Sequence, residues 1–418
     1  MSKDIIFISF NIYETKNGVS IKYINFIDFL LNKGNINITL FTTFINSENY
    51  KNIKKRNNLK IVKTKGLIAP FYKSFKIPAI KESTLKEYIK KGDEIIIFNG
   101  EFIMLYDILY NLKKKYINLK LYPNMHTDYI FYENNIYSKY KIFNLGSSDF
   151  FNHLDNYLEK NIFTGIIVTG EGLKNKYSKF TNSVFNANEV NLQIFNTVKK
   201  DFYINKYFNI IYTGRIAKEK NIDEVLDCCN MLYGKYNFYL NIIGDGPYLE
   251  DLKTIIDLEY SKIKSKIIFY GSMNQTDINK LYQSLDNRIF LFTSISETFG
   301  KTPMEAGSTG IPIFIKKCEN TNYLYINKKN AFLFDNKNEF LESFEYFINM
   351  DNYEKDLFIK NSINNIKKYD QQVIFNDFYN FLISQKVVKP NTKISFYDML
   401  SFNNLVKLVN CTGNIMSN

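Results

Sequence analysis

The 418-residue chain has no tryptophan, two histidines and four cysteines. With imidazole so scarce, chemistry that needs several acid–base groups around one carbon has few candidates. The cysteines, Cys228, Cys229, Cys318 and Cys411, form no spaced ligand set, so neither a disulfide framework nor a zinc site is expected. Cys228 and Cys229 fall on an expected helix and read as a core thiol and its neighbour. An Asp-x-Asp triplet is absent. The dinucleotide fingerprint Gly-x-Gly-x-x-Gly is missing too: Gly244-Asp-Gly246-Pro-Tyr-Leu lacks the third glycine, and the first strand runs on into Asn11-Ile-Tyr-Glu. That argues against an NAD-dependent oxidoreductase. No run of about 18 apolar residues could span a bilayer, and residues 5–10 enter a strand without a preceding secretory leader. The cytosol is the expected location. Helix-turn-helix, ribonucleoprotein and zinc patterns are lacking, so no nucleic-acid partner is expected.

What is present is an ordinary globular composition, 45% apolar, in a chain too long for one core. Two domains of roughly 200 residues each are expected. The net charge of +12 rides on a composition rich in Lys, Asn, Ile, Tyr and Phe, and that bias accounts for most of it. Local clusters remain at Lys51, Lys54, Lys55, Arg56, Lys60, Lys63 and Lys65, and at Lys113, Lys114 and Lys115. They suggest a basic face on the N-terminal half and peripheral contact with an anionic membrane.

Apolar runs alternate with helical periods along the chain, the pattern of parallel sheets covered by helices. Strands are expected at residues 5–10, 37–42, 59–63, 94–99, 118–123 and 165–169, with a helix over 19–32 after the first. A second series has strands at 210–213, 238–243, 267–270, 289–293 and 312–315, and helices at 221–233 and 275–284. The aperiodic stretch 190–207 reads as an interdomain linker. The expected organisation is an N-terminal Rossmann-like domain over 1–196 and a C-terminal one over 205–369. A helical segment over 370–418 has its helix, 370–383, returning to the first domain.

The densest chemical signal is Ser294-Ile-Ser-Glu297-Thr298-Phe299-Gly300-Lys301-Thr-Pro303-Met-Glu305. A strand ends, a glycine turn follows, and a helix starts near Thr302 or Pro303, where proline's missing N–H costs nothing. Backbone N–H groups at such a turn suit a diphosphate. Glu297 and Glu305 would repel that anion, so their use is to accept hydrogen bonds from sugar or ribose hydroxyls. Alone, two glutamates eight positions apart would be no more than solvated acids at a capping turn.

Other elements accompany them in order: Gly214-Arg215 with Glu219-Lys220-Asn221, Gly244-Asp-Gly246-Pro, Phe269-Tyr-Gly-Ser-Met273, and His126-Thr-Asp-Tyr in the first half. Together they resemble the Glu-x7-Glu pattern of retaining GT-B glycosyltransferases of the large family-four group, glycosyl transferases group 1, over residues 4–340. The resemblance implies an α/β GT-B fold, two Rossmann-like domains facing a central cleft, with a nucleotide-sugar donor, usually UDP-linked, and no cofactor or metal. It implies that Arg215 and Lys220 meet the diphosphate, Glu297 the sugar and Glu305 the ribose. The segment Thr298 to Lys301 would line the donor, the backbone at Met273 would touch the base, and His126 would lie near the reacting centre. Gly18, in the loop after the first strand, would bind the donor and complete the donor and acceptor cleft. Gly244 and Gly246 read as turn residues. A sugar-nucleotide epimerase shares the fold and stands as the alternative. Acceptor choice, whether glycan, lipid, protein or small molecule, is expected in loops 65–81 and 131–151.

Overall fold

The computed structural model describes residues 3–10, 18–43, 56–69, 72–100, 104–126, 162–196, 207–318 and 320–390. They form two compact units. Of the described residues, the first takes those up to Thr169, Leu173–Ala187 and those from Phe375 onward; the second takes Gly170–Gly172 and those within Asn188–Ile374.

The first unit is built on a seven-stranded parallel sheet in the order β3-β2-β1-β6-β7-β8-β9. Its strands are β1 (Lys3–Ile8), β2 (Ile36–Thr42), β3 (Leu59–Lys63), β6 (Ile95–Asn99), β7 (Lys120–Met125), β8 (Ile166–Val168) and β9 (Val184–Asn186). Central strand β6 is buried along its whole length, as expected where helices cover both faces. Helix α1 (Gly18–Asn32) buries Tyr23, Phe26, Ile27 and Leu30 at helical spacing. The helix Gln371–Ser384 contributes Phe375, Phe378 and Leu382 to the same core. Phe378 stacks on Phe26 with ring centroids 4.3 Å apart and on Phe185 at 5.3 Å, while the Tyr122 hydroxyl donates to the Leu382 carbonyl at 2.9 Å.

The second unit has a six-stranded parallel sheet, β12-β11-β10-β13-β14-β15. Its strands are β10 (Phe208–Thr213), β11 (Phe238–Ile243), β12 (Ile267–Gly271), β13 (Arg288–Phe292), β14 (Ile313–Lys316) and β15 (Phe332–Phe334). Without tryptophan, phenylalanine fills the space: Phe314 stacks on Phe332 at 4.8 Å and Phe332 on Phe358 at 4.7 Å, with Phe340, Phe344 and Phe347 around them. Cys228 and Cys229 are both buried here, and burial pushes both thiols up, which makes them inert.

Several expectations need correction. The acceptor loop expected over 65–81 contains an antiparallel hairpin, β4 (Lys65–Ala69) and β5 (Tyr72–Ala79). Residues 188–196, expected to end the first domain and enter a linker, belong to the second unit: Val190 and Phe195 are fully buried in its core, and the Val190 N–H donates to Tyr369 at 2.8 Å. Lys113 is not part of a basic face. It is fully buried, its ammonium donates to the carbonyls of Ile117 and Leu119, and burial together with Lys120 lowers its pKa to about 8. It caps carbonyls at the end of the helix Met104–Lys115. Arg56 is tied to Asp28 at 2.6 Å and to Asn32 at 2.7 Å. Lys51, Lys54, Lys55, Cys411 and the loop 131–151 lie outside the described residues.

Candidate donor site and the histidine of the first unit

In the second sheet the chain runs outward from β10 through β11 to β12, then returns to place β13 on the other side of β10. The carboxyl ends of β10 and β13 therefore flank a topological switch point, the place where such sheets bind ligands. Gly214-Arg215 and the 3-10 turn Lys218–Lys220 follow β10; residues 293–300 follow β13. The two loops are stitched together. Thr293 Oγ1 donates to the Asn221 carbonyl at 2.8 Å, and the Ile295 N–H to Glu219 at 3.2 Å. Asn221, in the left-handed conformation at φ 51°, turns the chain into α5 (Ile222–Leu232); among the described residues the helices between α1 and α5 are Glu82–Lys86, Met104–Lys115 and Glu171–Tyr177.

This stitching brings the Lys220 ammonium against the Glu297 carboxylate as an ion pair, both side chains being mostly shielded. Asn320 Nδ2 donates to the Glu297 carbonyl at 2.7 Å and holds the turn from the other side. Arg215 pairs with Glu219 and keeps the more open position, with 42% of its side chain exposed. Gly244 shows why glycine is needed nearby: at φ 144°, an added Cβ would overlap the Gly214 carbonyl oxygen.

The helix after Glu297 begins at Lys301, slightly earlier than expected, and spans Lys301–Ser308. Gly300 is its N-cap at φ 70° and offers no side-chain acceptor, so the first N–H groups are not capped by a side chain. Pro303 lies in the first turn. Thr298 passes so close to Gly170 that a Cβ there would strike its carbonyl oxygen. Phe299 points into the core, its ring edge-on to Tyr369 at 5.1 Å, so it offers a ligand backbone and not its ring. Met273 follows β12 and packs half-buried on the second core, two strands from β10.

Glu305 is buried in the second turn of this helix, 3% exposed. The Gln275 amide donates to its Oε1 at 2.7 Å. Lys301, one turn back, donates to both oxygens of buried Glu189, at 2.9 and 3.0 Å. Burial pushes the Glu305 carboxyl up to about 7; Lys301 and Gln275 oppose that rise, and Glu189 adds to it. For Lys301, burial acts downward but the Glu189 and Glu305 carboxylates outweigh it and raise the pKa. Gln275 and Glu189 were not among the residues expected here. Gln275 looks like an ordinary first residue of its helix, Gln275–Ser284, and Glu189 stands in a stretch without periodicity.

In the first unit, His126 directly follows β7 and is buried. Its Nε2 lies 3.3 Å from the Tyr23 hydroxyl. That hydroxyl donates to Asn99 Oδ1 at 3.0 Å and accepts from Asn124 Nδ2 at 2.8 Å. Because the single phenolic proton goes to Asn99, the consistent assignment places a proton on Nε2. Burial, reinforced by Lys22, holds the His126 pKa well below its ordinary value, so the ring is neutral. Gly18 is the first residue of α1, five positions before Tyr23. Residues 127–129 and His153 lie outside the described residues.

The family model described as glycosyl transferases group 1 matches residues 195–364. The alpha-monoglucosyldiacylglycerol synthase of Acholeplasma laidlawii is 36% identical over 137 residues, 32% of this chain and 33% of that protein. The capsular polysaccharide biosynthesis glycosyltransferase CapM of Staphylococcus aureus is 23% identical over 247 residues, 51% of this chain and 60% of that one. The chain spans 23% to 42% of the length of the first curated relatives it matches. Among solved structures, Anabaena HepE in complex with UDP superposes with a TM-score of 0.67 at 13% identity, covering 92% of this chain and all of that one. Sucrose-phosphate synthase from Thermosynechococcus elongatus superposes at 0.65 with 14% identity, over 90% and 98% of the two chains. Among the described residues, no helix is long and apolar enough to cross a membrane.

Proposed function

We propose, for a chain that belongs to the GT-B glycosyltransferases, that it moves a sugar from a UDP-sugar to an acceptor hydroxyl with retention of anomeric configuration and without a metal ion. The observation that carries this reading is the Lys220–Glu297 ion pair at the β10/β13 switch point. It sets a cation and a carboxylate together beside a helix N-terminus, the groups a diphosphate and a sugar require.

On this reading Lys220 and Arg215 bind the diphosphate and stabilise the charge that grows on the departing oxygen. Removing one such fixed donor typically costs about 10² to 10³ in kcat. The N–H groups after Gly300 add a partial positive charge. Glu297 exchanges part of its pairing with Lys220 for sugar hydroxyls, and Glu305 accepts from the ribose. His126, neutral and held by Tyr23, serves as a hydrogen-bonding group at the donor sugar, not as a cationic acid. The acceptor's proton passes to the departing phosphate oxygen. With no Asp-x-Asp triplet in the sequence, the two cations do the work of a metal. HepE's crystallisation with UDP supports the choice of base.

The first unit selects the acceptor, whether glycan, lipid, protein or small molecule. Cytoplasmic location with peripheral attachment to anionic membranes belongs to this reading, carried by Lys60, Lys63 and their neighbours in place of Lys113. Flotation with anionic liposomes at low salt tests it; a protein that stays unbound removes it. The transfer itself is tested by incubation with UDP-sugars and NMR assignment of the product anomer, with and without EDTA. An α-product from an α-donor, indifferent to EDTA, is expected. An inverted product or strict dependence on a divalent ion overturns the mechanism.

A further inference from the structure

Among the described residues, the Glu305 side chain accepts one hydrogen bond from protein, that from Gln275 Nε2. The two come from different helices, thirty positions apart, and meet where Glu305 is otherwise enclosed. Lys301 is the nearest cation, but both of its bonds to carboxylate go to Glu189. A buried carboxylate whose cation is already committed, with one anchored oxygen, retains acceptor capacity on the other. The Tyr282 phenol, on the same helix as Gln275, is buried, interacts electrostatically with Glu305 and is bonded to Thr213 at 2.8 Å.

We propose that Gln275 is a positioning residue for donor recognition: its amide holds Glu305 Oε1, which leaves Oε2 to accept from the vicinal hydroxyls of the donor's ribose. This rests on the reading of Glu305 as the ribose-binding group. An unanchored carboxylate would have to be ordered by the ligand, and that ordering weakens binding. Gln275 does the ordering in advance. The Glu189–Lys301 pair fixes the charge beside it so that Lys301 cannot draw Glu305 away.

The test compares calorimetric titrations of UDP and 2′-deoxy UDP against the wild-type chain, Gln275→Met and Gln275→Glu. Methionine keeps the length and removes the donor; glutamate keeps the shape, replaces the donor with an acceptor and suits a first helical turn. The helix itself keeps its cap, since Asn274 accepts from the Asp277 N–H independently of residue 275. The wild type is expected to prefer UDP over the deoxy analogue. Both variants lose about tenfold in UDP affinity, the scale of one hydrogen bond to a charged group, and most of the preference. If the wild type shows the preference and both variants keep it in full, Gln275 does not position Glu305 and the inference fails alone. If the wild type binds UDP without any preference for the 2′-hydroxyl, the ribose role of Glu305 fails and takes the inference with it.

Discussion

Lys220 and Glu297, 77 positions apart, form an ion pair at the carboxyl ends of two adjacent parallel strands. Each is the nearest countercharge of the other, so removing either leaves a mostly shielded charge to be resolvated or re-paired.

Glu297→Ala is expected to lower kcat strongly while UDP affinity stays within a few-fold of wild type, because the lost contact matters as the sugar gains oxocarbenium character. Steady-state kinetics paired with UDP titration read the split. Normal turnover would remove Glu297 from the site.

Glu305→Gln should mainly raise the donor KM, and it should also change stability with a definite sign. The folded-state pKa, about 7, lies above the ordinary carboxyl value, so the folded chain holds this proton more tightly than the unfolded chain. Wild-type stability is therefore lost as pH rises from the ordinary carboxyl range through about 7. Glutamine mimics the protonated acid. The variant should unfold at a higher temperature than wild type at pH above about 8, with the gap closing toward about pH 4.5. Thermal scans at both ends check this; a variant that is less stable at high pH contradicts it. The groups that face Glu305 are Lys301, Glu189, Gln275 and Tyr282.

Lys301→Met strands the buried Glu189 carboxylate and should cost about 3 to 5 kcal/mol of stability. Adding Glu189→Gln should recover a large part of that loss, and denaturant unfolding of the three variants measures the coupling. Simple additivity would mean the pair is not coupled.

Phe378→Ala opens the contact among Phe26, Phe185 and the returning helix, and should destabilise the first unit by about 3 to 5 kcal/mol. A change below about 1 kcal/mol would place Phe378 outside that core.

Strands rich in β-branched and aromatic residues were legible in the sequence: 59–63 and 238–243 match to the residue, and 94–99 differs by one. The hairpin β4–β5 was not, because Lys65, Lys73 and Pro78 break the alternation that marks a strand. Strand β15, Phe332–Phe334, is too short to carry a period. Lys113 misled for a different reason. In a run of three lysines only the position on the helix separates a buried ammonium from two solvated ones, and composition carries no such phase. Lys220 and Glu297 were legible as members of a motif, but their pairing depends on β13 returning beside β10. Glu189 gave no signal, since its significance comes from a fold that carries residues 188–196 into the second unit. Gln275 gave none either, because its partner stands on another helix.

The most direct test of the donor site is a calorimetric titration of UDP and of uridine into the wild-type chain and into Lys220→Ala. A site that binds the diphosphate through Lys220 predicts tighter binding of UDP than of uridine by the wild type. In Lys220→Ala that preference should fall by about 10- to 100-fold, with uridine affinity unchanged. Equal binding of UDP and uridine by the wild type, or an unchanged preference in the variant, would contradict the account.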